Sequence, residues 1–455
     1  MKKPPLLGRR GLLGSGLALG AAACSRSSVV PTEPPAPCPP PAPCPPTNRA
    51  LPLAQSYTTV ASVPTDGGYW YMHDPGMARL PSGKLLVAAP CWPIASRGST
   101  VASPTPAYPY KTFICRSDDG SATWSTVATL GYSDAAPFVA GGRLYMFVQT
   151  GQFTAFQLTS SDDEGVTWSA PRVIFETDGH YWNCGTPTVE KNGKLYWAVQ
   201  RGFTSDVLVV VADLSRDLMD PGAWSQSAPA THPATPGALA VSAPALPPHD
   251  CAANAPETFA PTCADDWWLE PNIVLVNGRI RVLARTKLDL LRTAGVAMVC
   301  DLTESAAGMQ LRFTQFAAMP GGQCKFFILR DEPSRLFWML SNLAADSQEL
   351  VFDWQALKKD RYLADGEAGG GNDRRFLVLS YSVDALNWFP AGCVARAPLL
   401  RQSFMYPSAA IDGDDLVLIS RTSVDGGTQH NADLVTFHRV RGFRALAMNL
   451  YPESG

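Results

Sequence analysis

Two ionisable residues flank an apolar hairpin in the second half of the chain. Glu270 precedes the apolar run of residues 271–276, and Arg285 lies at the end of the run that follows the turn Asn277-Gly278. Because a hairpin returns the chain antiparallel, its two ends lie side by side. The sequence therefore predicts that the Glu270 carboxylate and the Arg285 guanidinium come close together, either as part of a functional site or as a plain ion pair.

A polar turn motif recurs along the chain at non-uniform spacing. The best copy is Ser161-Asp162-Asp163-Glu164-Gly165-Val166-Thr167-Trp168; residues 117–124 form a second copy with the glycine one place early, and residues 382–388 form a shorter third. In this pattern the Ser and Asp side chains bond to turn amides, the glycine accepts a positive φ, and the tryptophan packs beneath the hairpin. Since these side chains are used to hold the turn, we interpret the motif as architectural.

Short β-like runs separated by Gly, Asn and Asp turns fill the chain from about residue 55. The clearest runs are 84–89, 143–149, 194–199, 279–284, 336–341 and 416–420. The recurring turn motif resembles the Asp-box of sialidases (neuraminidases) and related β-propellers. About six hairpin units fit the chain, so we expect an all-β, six-bladed, sialidase-like β-propeller across residues 51–455, within the usual range of about 4 to 8 blades.

The resemblance to sialidases covers most of residues 65–445 and includes three stretches that carry site residues in that family. These are the hairpin of Glu270 and Arg285, residues 374–382, and Ser403-Phe404-Met405-Tyr406-Pro407-Ser408. The resemblance implies that Tyr406 is the nucleophile, that Glu270 accepts its proton, and that Arg285 and Arg374 bind the substrate carboxylate. Taken alone, Arg374 also fits a solvated turn arginine, and Tyr406 fits a half-buried tyrosine with a hydrogen-bonded hydroxyl.

A tyrosine nucleophile suits an anionic sugar. An Asp or Glu nucleophile would be repelled by a substrate carboxylate beside the anomeric carbon, whereas a neutral phenol that a neighbouring Glu deprotonates would not. The resemblance thus implies a glycoside hydrolase of the exo-α-sialidase type, which releases a terminal acidic sugar with retaining chemistry and requires no metal or other cofactor.

Two departures from the sialidase pattern affect this expectation. His73 takes the place of the first of the family's three carboxylate-binding arginines, and a histidine holds a carboxylate less securely than a fixed cation. Between Pro90 and Arg116, where the family places its acid/base aspartate, the chain has no Asp or Glu. The proton donor must come from another segment, and the candidates are His73, Asp74, Asp134 and His180.

Further segments resemble a bacterial branch of sialidase-like proteins. They contain Lys325, which is expected to supply another cation at the site, and Arg421 and His438, which are either site residues or structural. The predicted catalytic residues are Tyr406, Glu270, His73 and Asp74, and the predicted substrate-binding residues are Arg285, Arg374, Lys325, His180 and Arg421.

Two other functions fit the same residues. In a polysaccharide lyase acting on uronic acids, a Tyr and a His move the proton while an Arg neutralises the carboxylate, and the product is an unsaturated sugar that absorbs ultraviolet light. A non-catalytic glycan-binding propeller would keep the cationic site and cleave nothing. All three functions have an acidic glycan as the partner. With 37 basic and 40 acidic residues and no basic run, the chain is not expected to bind nucleic acid.

The first 50 residues have the features of an export segment. Lys2, Lys3, Arg9 and Arg10 precede an apolar, small-residue run that ends at Cys24. Residues 9–13 resemble a twin-arginine export signal, and residues 19–24 resemble a lipobox. We expect an exported protein, periplasmic or at the cell surface, with a lipid anchor at Cys24 as its membrane contact; cleavage near Ala23 without an anchor is the alternative. Residues 25–50 are Pro-rich and predict an extended tether.

The cysteines fall into three groups. Cys38 and Cys44 lie in the tether, where they either pair with each other or with another chain. Cys251 and Cys263 bracket the end of an Ala/Pro-rich insertion at about 226–264 and are expected to close a local disulfide in an oxidising compartment. The others are expected to be buried thiols in or near strands; they are Cys91, Cys115, Cys184, Cys300, Cys324 and Cys393.

Overall fold

The computed structural model describes residues 51–97, 99, 101–151, 154–176, 181–201, 206–231, 267–287, 295–343, 374–399, 401–426 and 428–449. The export signal, the tether, nearly all of the insertion and His180 lie outside these ranges, as do Cys24, Cys38, Cys44, Cys251 and Cys263. Within the described ranges, no helix is long and apolar enough to cross a membrane.

The described strands form six antiparallel sheets, and each sheet is one blade of a six-bladed β-propeller. Blade 1 contains β2 (Tyr69–Met72), β3 (Gly76–Arg79), β4 (Leu85–Ile94), β5 (Lys111–Ser117) and β6 (Ser125–Leu130). Blade 2 contains β7 (Asp134–Ala140), β8 (Arg143–Gln149), β9 (Phe156–Ser161) and β10 (Arg172–Phe175). Blade 3 contains β11 (Tyr181–Trp182), β12 (Val189–Lys191), β13 (Lys194–Arg201), β14 (Asp206–Asp213) and β15 (Trp224–Gln226).

Blade 4 contains β16 (Trp267–Val276), β17 (Arg279–Lys287), β18 (Val296–Ser305) and β19 (Gly308–Ala318). Blade 5 contains β20 (Phe327–Asp331), β21 (Leu336–Asn342), β22 (Phe376–Ser382) and β23 (Phe389–Arg396). Blade 6 contains β24 (Ser403–Asp412), β25 (Asp415–Ser423), β26 (Leu434–Val440) and, as its outer strand, β1 (Tyr57–Ser62). The predicted all-β, six-bladed propeller is confirmed, and the six predicted runs coincide with one strand in each blade, namely β4, β8, β13, β17, β21 and β25.

The innermost strands line the propeller axis. Strand β24 contacts β3 and β20, β3 contacts β7, and β20 contacts β16, so side chains far apart in sequence meet at the centre. The ring closes in blade 6, where β1 pairs with β26 in a register that places Tyr57 opposite His438. A strand from near the start of the described chain therefore completes the last blade.

The packing of β13 shows why the sequences of these strands are continuous apolar runs rather than alternating apolar and polar residues. Both faces of this strand are covered, because alternate side chains point to opposite neighbours. Leu195, Trp197 and Val199 belong to the core between blades 2 and 3, whereas Tyr196 and Ala198 belong to the core between blades 3 and 4. The Trp197 ring stacks on the Phe147 ring of blade 2 with centroids 4.0 Å apart. Similar clusters fill the other blade interfaces, so the core is a ring of inter-blade layers.

The recurring turn motif joins the two outermost strands of blades 1, 2 and 5. In the blade 2 copy, Asp163 accepts hydrogen bonds from the Thr167 amide at 2.8 Å and the Thr167 hydroxyl at 2.6 Å, and the Ser161 hydroxyl donates to it at 2.9 Å. The Gly165 amide donates to Ser161 Oγ at 2.8 Å. The motif side chains are thus engaged within the turn, as the architectural interpretation requires.

Replacing Asp163 by alanine is expected to lower the thermal unfolding midpoint near pH 7 by about 2 to 4 °C, because three donors lose a charged acceptor. Hydrogen bonds from Thr167 hold the pKa of Asp163 down, at about 2. A carboxyl whose pKa is lower in the folded state stabilises the fold above its unfolded pKa, so the difference from the wild type should shrink as the pH falls towards 2. Asp162→Ala is the control, since Asp162 makes only a surface ion pair with Arg143. Equal effects of both changes would contradict the prediction.

The described cysteines are free thiols. Cys91, Cys115, Cys184, Cys300 and Cys324 are buried, as predicted, whereas Cys393 is only half-buried.

Candidate active site

Glu270 and Tyr406 occupy matching places in the inner strands of blades 4 and 6. Each is the fourth residue of its strand, and each precedes a proline. At this point the pairing with the second strand slips by one residue in both blades, which is a β-bulge. Both residues have positive φ, 52° for Glu270 and 50° for Tyr406. Positive φ is strained for side chains of this size and is concentrated at functional sites.

The side chains of these two residues meet, with Arg285 on the other side of the carboxylate. The Tyr406 hydroxyl donates to Glu270 Oε1 at 2.6 Å. Arg285 Nη1 lies 3.1 Å from Glu270 Oε1 and 3.0 Å from Oε2, and Arg285 Nε donates to the Gln323 carbonyl at 2.8 Å. The predicted closeness of Glu270 and Arg285 is therefore present, and it includes the tyrosine.

Burial controls the protonation of Tyr406. Loss of solvent raises the pKa of the phenol well above its ordinary value, and the neighbouring Glu270 and Asp74 carboxylates raise it further, against the opposing effect of Arg285 and Arg374. The phenol is therefore neutral at rest, and its hydroxyl donates a hydrogen bond to Glu270. A short hydrogen bond to a carboxylate is the arrangement in which a base can remove that proton.

Arg421 repeats in blade 6 the position that Arg285 has in blade 4. Arg285 follows Glu270 by 15 residues, and Arg421 follows Tyr406 by 15 residues. In both blades the arginine pairs with the residue just before the bulge. Arg421 Nη1 donates to Asp74 Oδ1 at 3.2 Å, and its guanidinium carbon lies 5.0 Å from the centroid of the Tyr406 ring. Two buried ion pairs thus flank the tyrosine.

Asp74 lies where the inner strand of blade 1 is interrupted between β2 and β3. Like Glu270 and Tyr406, it directly precedes a proline. Burial raises the pKa of Asp74 above its ordinary value, against the lowering effect of His73 and Arg421. The structure therefore places this predicted catalytic residue beside Tyr406, but bound to an arginine.

Arg374 is a further arginine close to Tyr406. Its guanidinium carbon is 5.9 Å from the Tyr406 ring centroid, and Nη1 is 3.5 Å from the sulfur of Met405. Its backbone amide donates to Gln429 Oε1 at 2.9 Å. Arg374 is thus a member of the group around Tyr406 rather than a solvated turn residue.

The cationic residues of this group differ in how much of their surface is exposed to solvent. Arg285 and Arg374 keep 6% and 8% of their surface exposed, whereas Arg421 and Lys325 keep 0% and 1%. Lys325 Nζ donates to the Gly185 carbonyl at 3.0 Å and also to the Pro407 carbonyl, and burial lowers the pKa of its ammonium group. Lys325 therefore ties blade 3 to the residue after Tyr406 through two backbone carbonyls.

His73 is held by Asp134 and Trp92. Its Nδ1 lies 3.0 Å from Asp134 Oδ1 and 3.7 Å from Asp74 Oδ2. Its ring stacks on Trp92 with centroids 3.7 Å apart and an angle of 14° between the planes. His73 therefore faces two carboxylates and does not stand free as a replacement for an arginine.

His438 and His430 differ from His73 in their surroundings. His438 bonds Thr436 Oγ1 at 2.9 Å within blade 6, and burial lowers its pKa to about 3, so its role is structural. His430 was not predicted from the sequence. Its carbonyl accepts a hydrogen bond from Arg421, and burial lowers the pKa of its ring well below the ordinary value.

His73, Asp74 and Asp134 also form a group of metal-ligating types. Their ligand atoms lie within 4.8 Å of one another and all three residues are buried. Asp74 Oδ2 and Asp134 Oδ2 have no hydrogen-bond donor among the described residues. Arg421, however, lies against Asp74 and already supplies a positive charge there. A further divalent cation would be repelled by the guanidinium, so the donor set fits a proton-transfer group better than a metal centre.

No known protein-family model matches the chain, and no curated protein matches it in sequence. Solved structures do match the chain in fold. A protein of unknown function from Dyadobacter fermentans matches with a TM-score of 0.52 at 12% identity over 85% of this chain and 98% of that one. The sialidase of Trypanosoma rangeli in complex with sialic acid matches with 0.51 at 14% identity, over 87% and 61%.

The NanB sialidase of Streptococcus pneumoniae matches with a TM-score of 0.51 at 9% identity, over 85% of this chain and 70% of that one. This chain therefore spans about two thirds of the length of the two sialidases. At these identities the similarity establishes the fold alone: the chain shares the β-propeller fold of the sialidases.

Proposed function

We propose that this protein is a propeller glycosidase that releases a terminal acidic sugar by retaining chemistry of the exo-α-sialidase type. The observation that carries the proposal is the row Tyr406, Glu270 and Arg285, in which a buried neutral phenol donates a 2.6 Å hydrogen bond to a carboxylate that an arginine holds in place. A phenol in this setting can act as a nucleophile, because the Glu270 carboxylate that would remove its proton is already hydrogen-bonded to it.

In the proposed first step, the Tyr406 oxygen attacks the anomeric carbon while Glu270 accepts the phenolic proton. Arg285 keeps the Glu270 carboxylate oriented through both of its oxygens. The strained backbone at both residues is maintained by the surrounding bulges, so the pair is pre-organised before substrate arrives.

Arg285 and Arg374 are proposed to bind the substrate carboxylate. Both keep an exposed edge; Arg374 lies 5.9 Å from the Tyr406 ring centroid, and Arg285, from another blade, binds the Glu270 carboxylate that Tyr406 contacts. Arg421 and Lys325 are proposed to position the site without binding substrate: Arg421 holds Asp74, and Lys325 holds the Pro407 carbonyl. His180 stays a predicted binding residue outside the described ranges. The proposed chemistry needs no cofactor.

The turns of blades 1, 2 and 5 support the sialidase-like branch of this proposal. Their Ser and Asp side chains make the same intra-turn hydrogen bonds in all three copies, which is the arrangement proposed for Asp-box turns. We also propose export through residues 1–24 with a lipid anchor at Cys24. Transfer of the wild-type protein, but not of Cys24→Ala, into the detergent phase would support the anchor.

The test uses the full-length protein with a panel of sialosides, uronic-acid oligosaccharides and neutral glycosides. Free sugar is measured together with ultraviolet absorbance, and the anomer formed first is identified by proton NMR. Release of a saturated acidic sugar with retained configuration supports the proposal. An unsaturated product would establish the lyase instead. Binding without cleavage, unchanged in Tyr406→Phe, would establish a glycan-binding propeller.

A further inference from the structure

We propose that His73, oriented by Asp134, is the proton donor and acceptor of this site; the inference rests on the proposed function. A retaining glycosidase needs two separate proton-transfer groups, one at the nucleophile and one at the leaving group. Glu270 is bonded to Tyr406 and therefore serves the nucleophile. No Asp or Glu lies between Pro90 and Arg116, so the second group has to come from another part of the chain.

The surroundings of His73 fix the direction of its imidazole. Nδ1 faces Asp134 Oδ1 at 3.0 Å, and the ring lies flat against Trp92. The Trp92 indole donates to the Ser133 carbonyl at 2.6 Å, so the stacking surface and the carboxylate are anchored in the same segment. A carboxylate that accepts a hydrogen bond from Nδ1 leaves Nε2 as the nitrogen that exchanges a proton with substrate. Within the described part of the chain, Nε2 has no hydrogen-bond partner.

His73 lies two side chains from the nucleophile. Asp74 is 3.7 Å from His73 Nδ1, and it binds Arg421, which lies over the Tyr406 ring. This chain of contacts connects the imidazole to Tyr406 through two side chains and does not pass through Glu270. The two proton-transfer groups of the mechanism therefore stay separate.

Asp74 and Asp134 fit the donor role less well than His73. Asp74 is held by Arg421 and is 2% exposed, and Asp134 is 3% exposed, whereas His73 is 7% exposed. Asp134 acts through the imidazole and is a positioning residue. Asp134 Oδ2 is buried and has no hydrogen-bond partner among the described residues, so solvent screens the attraction between this carboxylate and the histidine only weakly.

The two steps balance in atoms and charge. In the first, the C–O bond to the leaving group breaks, the leaving oxygen takes the proton from His73 Nε2, and Tyr406 forms a bond to the anomeric carbon after passing its proton to Glu270. In the second, His73 Nε2 takes a proton from water, the water oxygen bonds to the anomeric carbon, and the tyrosyl C–O bond breaks. Glu270 then returns the proton to Tyr406.

The experiment compares two glycosides of the same acidic sugar in the full-length protein. One has 4-methylumbelliferone as leaving group, which departs without protonation, and the other is a sialyl-lactose, whose sugar leaving group requires it. His73→Gln is expected to lower kcat/KM on sialyl-lactose by about 10² to 10⁴-fold and on the aryl glycoside by less than about tenfold. Because the second step also loses its base, a Tyr406-linked sugar adduct should accumulate and be visible by mass spectrometry.

Asp134→Asn gives an independent measure. Asp134 Oδ1 lies 3.0 Å from His73 Nδ1 and orients the ring, so Asp134→Asn should lower kcat/KM on sialyl-lactose by a larger factor than on the aryl glycoside. If Asp134 were merely structural, the change would lower kcat/KM on both glycosides by the same factor.

His430→Gln is the matched control, because it alters another histidine beside Arg421 and should lower kcat/KM on both substrates alike. Thermal unfolding of each variant verifies that it is folded. If the wild type is active and His73→Gln lowers kcat/KM on both substrates by the same factor without an adduct, the proton-transfer role of His73 is overturned while the proposed function stands. If the wild type cleaves neither substrate, the proposed function itself is overturned and the role of His73 with it.

Discussion

Tyr406→Phe is expected to lower the rate of acidic-sugar release by about 10³-fold or more, with little change in fold. Removal of a nucleophile that acts together with its base eliminates nearly all of the pair's contribution to catalysis. The phenylalanine keeps the ring that packs against Arg421 and Arg374 and loses only the oxygen that donates to Glu270. Arg285 still satisfies the Glu270 carboxylate, so the variant should remain folded. The measurement is kcat on the best glycoside of the panel.

The control for this change is Tyr381→Phe. Tyr381 is also a buried tyrosine whose hydroxyl is hydrogen-bonded, since it accepts from the Met448 amide at 3.0 Å, but it lies in the outer part of blade 5. Both variants should lose a similar, small amount of stability, and only Tyr406→Phe should lose turnover. Activity of Tyr406→Phe within tenfold of the wild type would exclude a tyrosyl intermediate.

Arg421→Met is expected to have the largest effect on stability among the site variants, lowering the free energy of unfolding by about 3 to 5 kcal/mol. Arg421 is fully buried, and its partner Asp74 has a side chain with 1% of its surface exposed. Without the guanidinium, Asp74 stays buried beside Glu270 and Asp134 without its cation. Chemical denaturation at neutral pH measures the loss.

Two further variants show whether the lost ion pair is the cause. Arg421→Met combined with Asp74→Asn should recover much of the stability, because no unpaired charge then remains. Arg216→Met breaks the surface pair of Arg216 with Asp220, in which both side chains are about half exposed, and should cost less than about 1 kcal/mol. A double variant that is no more stable than Arg421→Met would show that the loss comes from packing instead.

The blade count and the hairpins could be predicted from the sequence because they depend on local chemistry. Turn pairs such as Asn277-Gly278 have positive φ at both residues, as a tight hairpin requires, and they begin strands whose apolar runs are covered on both faces. The closeness of Glu270 and Arg285 follows from the same hairpin. These features need only residues near each other in sequence.

Contacts across the propeller axis could not be predicted in this way. The ion pair of Asp74 with Arg421 joins blades 1 and 6, and the hydrogen bonds of Lys325 join blades 3, 5 and 6. Only the closed ring determines such partners. A local signal was nonetheless present for Arg421, since its 15-residue distance from Tyr406 repeats that of Arg285 from Glu270. A second signal was the proline that follows Asp74, Glu270 and Tyr406 alike.

The pairing of β1 with β26 has a consequence for how the protein is made. During synthesis β1 emerges first, and its partner strand, which contains His438, is added nearly last. Until then the ring stays open, with unpaired strand edges that favour association with other chains. Blade 6 also carries Tyr406 and Arg421. An unfinished chain therefore cannot complete the blade that holds Tyr406, and the candidate site matures only when the whole propeller has closed.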